Sequence, residues 1–511
     1  MLVIECLIIS LTIEVILNSE TMPNLKKKLD FDRETFFRAS SSTFFDTATT
    51  IDEEPSSSIE SSNKDKETER IHVHLRLRPT IKQELHCYTV DVENSKLIAK
   101  DQLNHNNLNK DITEKHYKFT SILDENIDQI GVYEKAVKPI LNDPFLERGA
   151  TFLTYGCSSS GKTYTILGDK SPGLVPRAIS QLFFEYQTSI VGQYPFVKIV
   201  NDNVKLLDDD EVNSELKLTN DFISENRKLH PMDQKKINSL KNSWTNSIPD
   251  DHDFQPKDFE VTTHIIIWIS FVEIYNEKII DLLDMKKQVS NTLRPLRIFS
   301  NNGNSYIRGL TSLNVSSVEE ALEILQYGLR RVNYAATGIN ANSSRSHTIF
   351  TISLVSVENG NYQFSVFKFC DLAGAERIKK TGNIGDRLKE AGGINNSLLV
   401  LGRCLEIVHN NQKLSKNNHE NKVPVRDSKL TFLLQSSLLG LEKFVMIVNI
   451  LPKIEFFEEN LNVLNFASIA TQIVVQKFTV RKMTRRSSKY SFFTNHHLGI
   501  TNANSFIANS M

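Results

Sequence analysis

Eight residues constrain this chain more than any others: Gly156-Cys157-Ser158-Ser159-Ser160-Gly161-Lys162-Thr163. They follow the pattern glycine, four residues, glycine, lysine, then a hydroxyl residue, and the β-prone run Thr151-Phe152-Leu153-Thr154-Tyr155 comes directly before them. The chemistry asks for that spacing. Glycines let the backbone wrap so that its N–H groups converge on phosphate oxygens, and the following helix adds partial positive charge at its start. Lys162 then reaches the β- and γ-phosphates, and Thr163 is placed to ligate Mg²⁺. A strand before and a helix after distinguish such a loop from a Gly-Ser surface turn.

The rest of the chain alternates around this loop. Strand patterns occur at "IHVHLRLRPT", where Ile71, Val73, Leu75 and Leu77 alternate with polar residues, and at "TFLTY", "HIIIWISFVEIY", "SHTIFTISLVSV", "YQFSVFKFCDL" and "KFVMIVNIL". Helical patterns lie between them, among them "VPRAISQLFFEY", "SVEEALEILQYGLRRV", "GGINNSLLVLGRCLEIV" and "NLNVLNFASIATQIV". This predicts an α/β domain of the P-loop NTPase type over residues 71–478, its central, mainly parallel sheet covered by helices on both faces. One polar, poorly periodic stretch, about 187–260, interrupts the rhythm and reads as a long inserted loop. Residues 1–70 read as an apolar start followed by a disordered Ser/Thr/Asp/Glu/Lys-rich tail. Residues 479–511 read as a basic, then polar, tail without apolar heptads.

Composition narrows the partners. Lys+Arg 60 against Asp+Glu 61 gives a formal net charge of -1, so no global field draws the molecule to nucleic acid or anionic lipid, and a polyanionic partner must be met by a local patch. The opening apolar run contains Glu5 and Glu14, lacks a basic leader and falls short of the roughly 20 residues that span a bilayer. No membrane partner is expected. Five scattered cysteines without a C-x-x-C pair argue against a disulfide framework and a zinc site, and for a reducing compartment.

Two further stretches narrow the reaction. "NANSSRSH", Asn340 to His347, sets Ser343, Ser344 and Arg345 before a strand; "DLAGAE", Asp371 to Glu376, follows one. An aspartate at the carboxyl end of a strand is where a phosphate-loop NTPase holds the Mg²⁺ shell, and Gly374 leaves backbone N–H free to sense a γ-phosphate. A small GTPase would need a guanine-reading Asn-Lys-x-Asp, and "NKDK" at Asn63 lies upstream of the phosphate loop, so ATP is favoured. A kinase of the adenylate type gives no reason for two such switches.

Together these three elements resemble the phosphate loop, switch I and switch II of a kinesin motor domain. "LRLRP", "SFVEIYNEKIIDLLD", "RLKEAGGINNSLLVLGRCLEIV" and "VPVRDSKLTFLLQSSLLG" are also similar to segments of that family, and the likeness runs from about Ile71 to Gln476. A myosin would share the phosphate loop and Ser-Ser-Arg, but its motor is about twice as long and its switch I does not continue Ser-His. The resemblance implies that ATP and Mg²⁺ are the cofactors. By matching position, Arg76, Arg78 and Pro79 border the base and Tyr164 stacks on it. The loop residues Gly156 to Thr163, with Asn340, surround the phosphates. Ser343 faces the γ-phosphate and lytic water, and Thr163, Ser344 and Asp371 share the metal shell. Arg345 and Glu376 form an ion pair that closes the switches.

The implied partner is the microtubule, met by Lys379, Lys380, Arg387 and Lys389 ahead of one contact helix and by Lys422, Arg426 and Lys429 at the next segment. Asn396 stands where the family commonly has Lys, and Phe432 where Arg is common; both remove positive charge. The long insertion, Thr154 and "SLLVLGRCLEIV" are similar to the mitotic kinesin-like group, kinesin family six. That branch implies a role in spindle, midzone or cytokinesis, a cytoplasmic and cytoskeletal location with the nucleus open, and a homodimer formed through a stalk. A slow or non-motile crosslinking scaffold on the same fold is the competing reading.

Overall fold

The structure, a computed structural model, describes residues 68–80, 87–100, 114–146, 149–187, 189–190, 195–228, 263–285, 295–301, 303–337, 345–358, 361–376, 386–413 and 421–476. Nine strands form the central sheet: β1 (His72–Leu77), β2 (Ser121–Leu123), β3 (Gly149–Tyr155), β4 (His264–Tyr275), β5 (Lys278–Asp281), β6 (Leu313–Val315), β7 (His347–Glu358), β8 (Asn361–Asp371) and β9 (Lys443–Ile450). Their order is β5-β4-β7-β8-β3-β9-β1-β2, and β6 pairs with β4. From β8 to β2 every pairing is parallel. β7 opposes β8, and β4 opposes β7 and so runs with the parallel set; β5 and β6 oppose β4. Six of the nine strands therefore run one way, as the alternation of strand and helix predicts.

β3 is buried at all seven positions, which requires covering on both faces. Its side chains alternate between two cores. Ala150 and Phe152 pack with Val132, Leu174, Ile179 and Leu322 on one face. Leu153 and Tyr155 pack with Leu401, Leu405, Val463 and Phe466 on the other. The first face is covered by α1 (Gln129–Ala136), α3 (Leu174–Glu185) and α5 (Val318–Thr337), and the second by α6 (Asp386–Lys413) and α8 (Phe457–Ala470). Between them in the chain lie α2 (Lys162–Leu167), α4 (Asp209–Arg227) and α7 (Lys429–Leu433).

The stretch read as an inserted loop contains ordered structure. Val197–Val200 and Asn203–Leu206 form a hairpin around Asn201 and Asp202, both with positive φ, and α4 follows. Asp208 caps that helix by accepting from the Glu211 N–H while Glu211 reaches back, a complete capping box. The hairpin carries Val197 onto Ile266, Trp268, Val355 and Phe364, a third cluster at the far end of the sheet. The Trp268 indole N–H donates to the Val197 carbonyl at 3.0 Å. Polar composition hid this helix because it buries only a narrow stripe: Val212, Thr219, Phe222, Ile223 and Asn226. Thr68–Arg70, just before β1, pairs antiparallel with Val474–Gln476, just after α8. The remainder of the insertion and the two terminal tails lie outside the described residues.

Candidate active site

The site forms where parallel strands β3 and β8 end side by side, with Thr154 paired to Asp371. The chain leaves β3 through Gly156, whose φ is +156°; a Cβ there would stand 2.1 Å from the Asn449 carbonyl of β9. Gly161, at φ +102°, turns the loop into α2. Between them Ser159 takes φ +63°, the left-handed region that a side chain ordinarily avoids. Its carbonyl accepts from the Arg78 guanidinium.

Three polar contacts organise the phosphate side. The Lys162 ammonium donates to the carbonyls of Gly156 and Cys157 at 3.0 and 2.8 Å. Burial lowers its pKa, while the Asp371 and Glu376 carboxylates nearby favour its charge. The Thr163 hydroxyl donates to Asp371 at 2.6 Å, and Thr154 lies 3.3 Å from the other Asp371 oxygen. Burial raises the Asp371 pKa against these donors. Glu376 binds Ser158 twice, accepting from its N–H at 2.8 Å and from its hydroxyl at 2.5 Å. Gly374 permits that approach, since a Cβ there would fall 2.3 Å from one Glu376 oxygen and 2.4 Å from Ser158 Oγ.

On the base side Tyr164 is 44% exposed, as a stacking platform requires. Arg76 lies behind it rather than in the open. Its guanidinium donates to Gln129 and Thr165 at 2.7 and 2.8 Å and sits 5.4 Å from the Tyr164 ring centroid. Burial pulls its pKa down to about 10. Gln129 in turn donates to the Tyr164 carbonyl, and Asn449 to Thr165. Arg78 and Pro79 are exposed at the rim. Gln129, Thr165 and Asn449 escaped the sequence reading because each comes from a different element and only the fold brings them together.

His347, at the start of β7, links the site to the far face. It accepts from the Ala373 N–H at Nδ1, 3.1 Å, so Nε2 carries the proton and donates to Ser397 of α6 at 2.7 Å. Burial, with Lys162 nearby, depresses its pKa to about 3. On that face, Lys422 and Arg426 are exposed, and the Arg426 guanidinium lies 5.4 Å from the Phe432 ring centroid. The turn after β4 supplies Glu277, which caps α7 by accepting from Ser428 Oγ and the Lys429 N–H.

Asn340, Ser343 and Ser344 lie outside the described residues, as do Lys379 and Lys380. Arg345 is half-buried at the entry to β7. Both Glu376 oxygens are engaged by Ser158, a contact the sequence reading did not anticipate beside the Arg345 pairing.

The residues present fit a Mg²⁺-bound nucleoside triphosphate. Among the described residues the buried Ser160 Oγ of the loop has no hydrogen-bond partner, and Gly156 has no room for a Cβ. Thr163 with Asp371 offers the hydroxyl and single carboxylate on which Mg²⁺ is typically held together with substrate phosphates. Fold and site together define a phosphate-loop nucleotide-binding fold of the kind found in cytoskeletal motor domains. Residues 76–473 match the kinesin motor domain, and the chain belongs to that family.

Kinesin-like protein subito of Drosophila melanogaster is 41% identical over 416 residues, 80% of this chain and 64% of that protein. KIF20A of Homo sapiens is 32% identical over 450 residues, again 80% of this chain but 50% of its own length. This chain thus spans between half and two thirds of those relatives. A solved structure named kinesin 6 superposes with a TM-score of 0.59 at 25% identity, over 80% of this chain and all of that one. A KIF14 dimer solved with AMP-PNP in complex with a microtubule gives 0.56 at 25% identity, over 81% of this chain and 96% of that one. The likenesses to subito, to KIF20A and to the structure named kinesin 6 agree with the kinesin-six branch that the insertion suggests.

Proposed function

We propose that the chain is a microtubule-stimulated ATPase motor of the spindle and midzone, with ATP and Mg²⁺ as its cofactors. The carrying observation is a continuous polar path. Glu376 joins switch II to the phosphate loop at Ser158, and three residues earlier in the same segment Ala373 joins His347 and through it Ser397 on the helix proposed to face the filament. A shift of switch II is therefore felt at both ends. Bound Mg²⁺–ATP supplies the phosphoanhydride to be cleaved and the charge that the loop neutralises. Lys162 contributes the fixed cation, and Thr163 and Asp371 hold the metal side. Tyr164, braced by Arg76, Gln129 and Thr165, orients the base. Arg345, at the entry of β7, would meet Glu376 when the switches close, and Ser343 and Ser344 would serve the γ-phosphate and the metal.

On the filament side, Lys422 and Arg426 meet the acidic tubulin surface, with Lys379, Lys380, Arg387 and Lys389 completing the patch. The relatives support the branch, and homodimerisation and work in cytokinesis belong to the same proposal. The deciding experiment measures ATP turnover with and without polymerised tubulin, together with filament gliding. Stimulation with gliding is the expected result. Filament binding without stimulated turnover would favour the crosslinking scaffold, and equal filament affinity with ATP analogue, ADP or no nucleotide would defeat the motor reading.

A further inference from the structure

The last turn of α6 ends in two adjacent amides that behave as strand partners. Asn411 donates to the Asn421 carbonyl at 2.7 Å and accepts from the Asn421 N–H at 2.9 Å. Gln412 does the same for Val474: its Nε2 donates to the Val474 carbonyl at 2.6 Å, and its Oε1 accepts from the Val474 N–H at 3.0 Å. An amide side chain has the donor and acceptor of a peptide group in the same fork, so it can close such a two-bond ring against a strand edge. Val474 opens the short strand by which the chain leaves the motor core. Three other contacts bound that strand: the pairing with Thr68–Arg70, the Ile71 N–H donating to the Ile473 carbonyl at 3.0 Å, and Val475 packed at Gly440, where a Cβ would stand 3.3 Å from Val475 Cγ1.

We propose that Gln412 is a latch that fastens the outgoing chain at Val474 to the filament-facing helix, so that displacement of α6 is passed to the segment beyond Gln476. The mechanical part of this inference rests on the motor reading above; the latch itself does not. Both bonds are exposed to water, where a hydrogen bond contributes only a modest net stabilisation, so the latch opens and closes readily. That suits a contact that must reverse once in every cycle. Among the described residues both hydrogen bonds of the Gln412 amide go to Val474, outside the nucleotide site, and Gln412 acts as a positioning residue.

The Val474 amide reports the latch directly, because it is the donor to Gln412. Hydrogen exchange on the full chain should show that Gln412→Leu speeds exchange at Val474 roughly five-fold. Asn411→Leu, which releases Asn421 instead, should leave Val474 unchanged. Unaltered exchange at Val474 in Gln412→Leu, or equal acceleration in both variants through fraying of the helix end, would overturn the latch. In the motor assay, Gln412→Leu should keep filament-stimulated turnover within about two-fold while gliding distance per ATP falls by about half or more. An unchanged ratio would overturn the mechanical role. If the parent protein shows no filament-stimulated turnover, the motor reading fails, and the exchange result alone still decides the latch.

Discussion

His347 holds switch II and α6 through one neutral ring, and its protonation would remove the acceptor that Ala373 uses. Its pKa is about 3 in the fold against 6.5 for the free side chain, and His74, buried in β1 beside Ser121, is held at about 4. The unfolded chain therefore binds protons that the folded chain refuses. Stability contributed by each ring is complete above pH 6.5 and is lost as pH falls toward the folded values. Each contributes a slope approaching about 1.4 kcal/mol per pH unit within its window. Thermal melts from pH 7 to 4.5 should show this decline, and a shallower one in His347→Asn. Glu376→Ala is a second test at this scale. It removes both the Ser158 contact and the proposed pairing with Arg345 but none of the metal-side groups. Nucleotide affinity should hold within a few-fold while steady-state turnover falls by at least ten-fold, about 1.4 kcal/mol in the barrier. Unchanged hydrolysis would remove Glu376 from the gate. The sequence pointed to Glu376 through its place in "DLAGAE", but not to Ser158 as its partner, because that contact depends on Gly374 letting two loops touch.

Among the elements, α4 shows how an insertion becomes part of a core. Its capping box satisfies two backbone groups at the start, Phe222 packs 4.4 Å from the Tyr327 ring centroid, and Arg227 makes two bonds of 3.1 Å to Glu323 of α5. Asp208→Ala should cost about 1 kcal/mol and Phe222→Ala about 3–5 kcal/mol of the stability of this region, read by urea titration of proteolytic protection. If cleavage in α4 were as fast in the parent protein as in Phe222→Ala, the helix would not be docked. The phosphate-loop strand, by contrast, was legible: the β-prone run Thr151-Phe152-Leu153-Thr154-Tyr155 carries no charge and ends in glycine, so it can be buried on both faces and still stop sharply. α4 was not, because its few apolar residues gain partners only through the fold, as Phe222 does among Tyr327 of α5 and Leu313 and Val315 of β6.

At the scale of the whole molecule, the proposed microtubule partner requires a chain of net charge -1 to present its cations on one face. Attraction between exposed charges is screened beyond about 10 Å at 0.1 M salt, so co-sedimentation with microtubules in the weakly bound state should weaken steeply between 50 and 200 mM salt. Binding insensitive to salt would remove the basic patch. Asn396 and Phe432, in place of the family's common cations, are expected to set that affinity below a fully basic face, and the Phe432 ring centroid lies 5.4 Å from the Arg426 guanidinium. What the sequence determined unaided is the local chemistry: a loop with glycines where the backbone must turn, a lysine and threonine one step further, an aspartate at a strand end, and the alternation that commits the chain to a parallel sheet. These are short-range constraints, written in neighbouring residues. The tertiary structure alone decided which distant groups meet: Glu376 with Ser158, His347 with Ser397, Arg76 with Gln129 and Thr165, Gln412 with Val474. Each of those contacts joins segments that no sequence period relates, and it exists only because strand order and helix packing bring them within hydrogen-bonding reach.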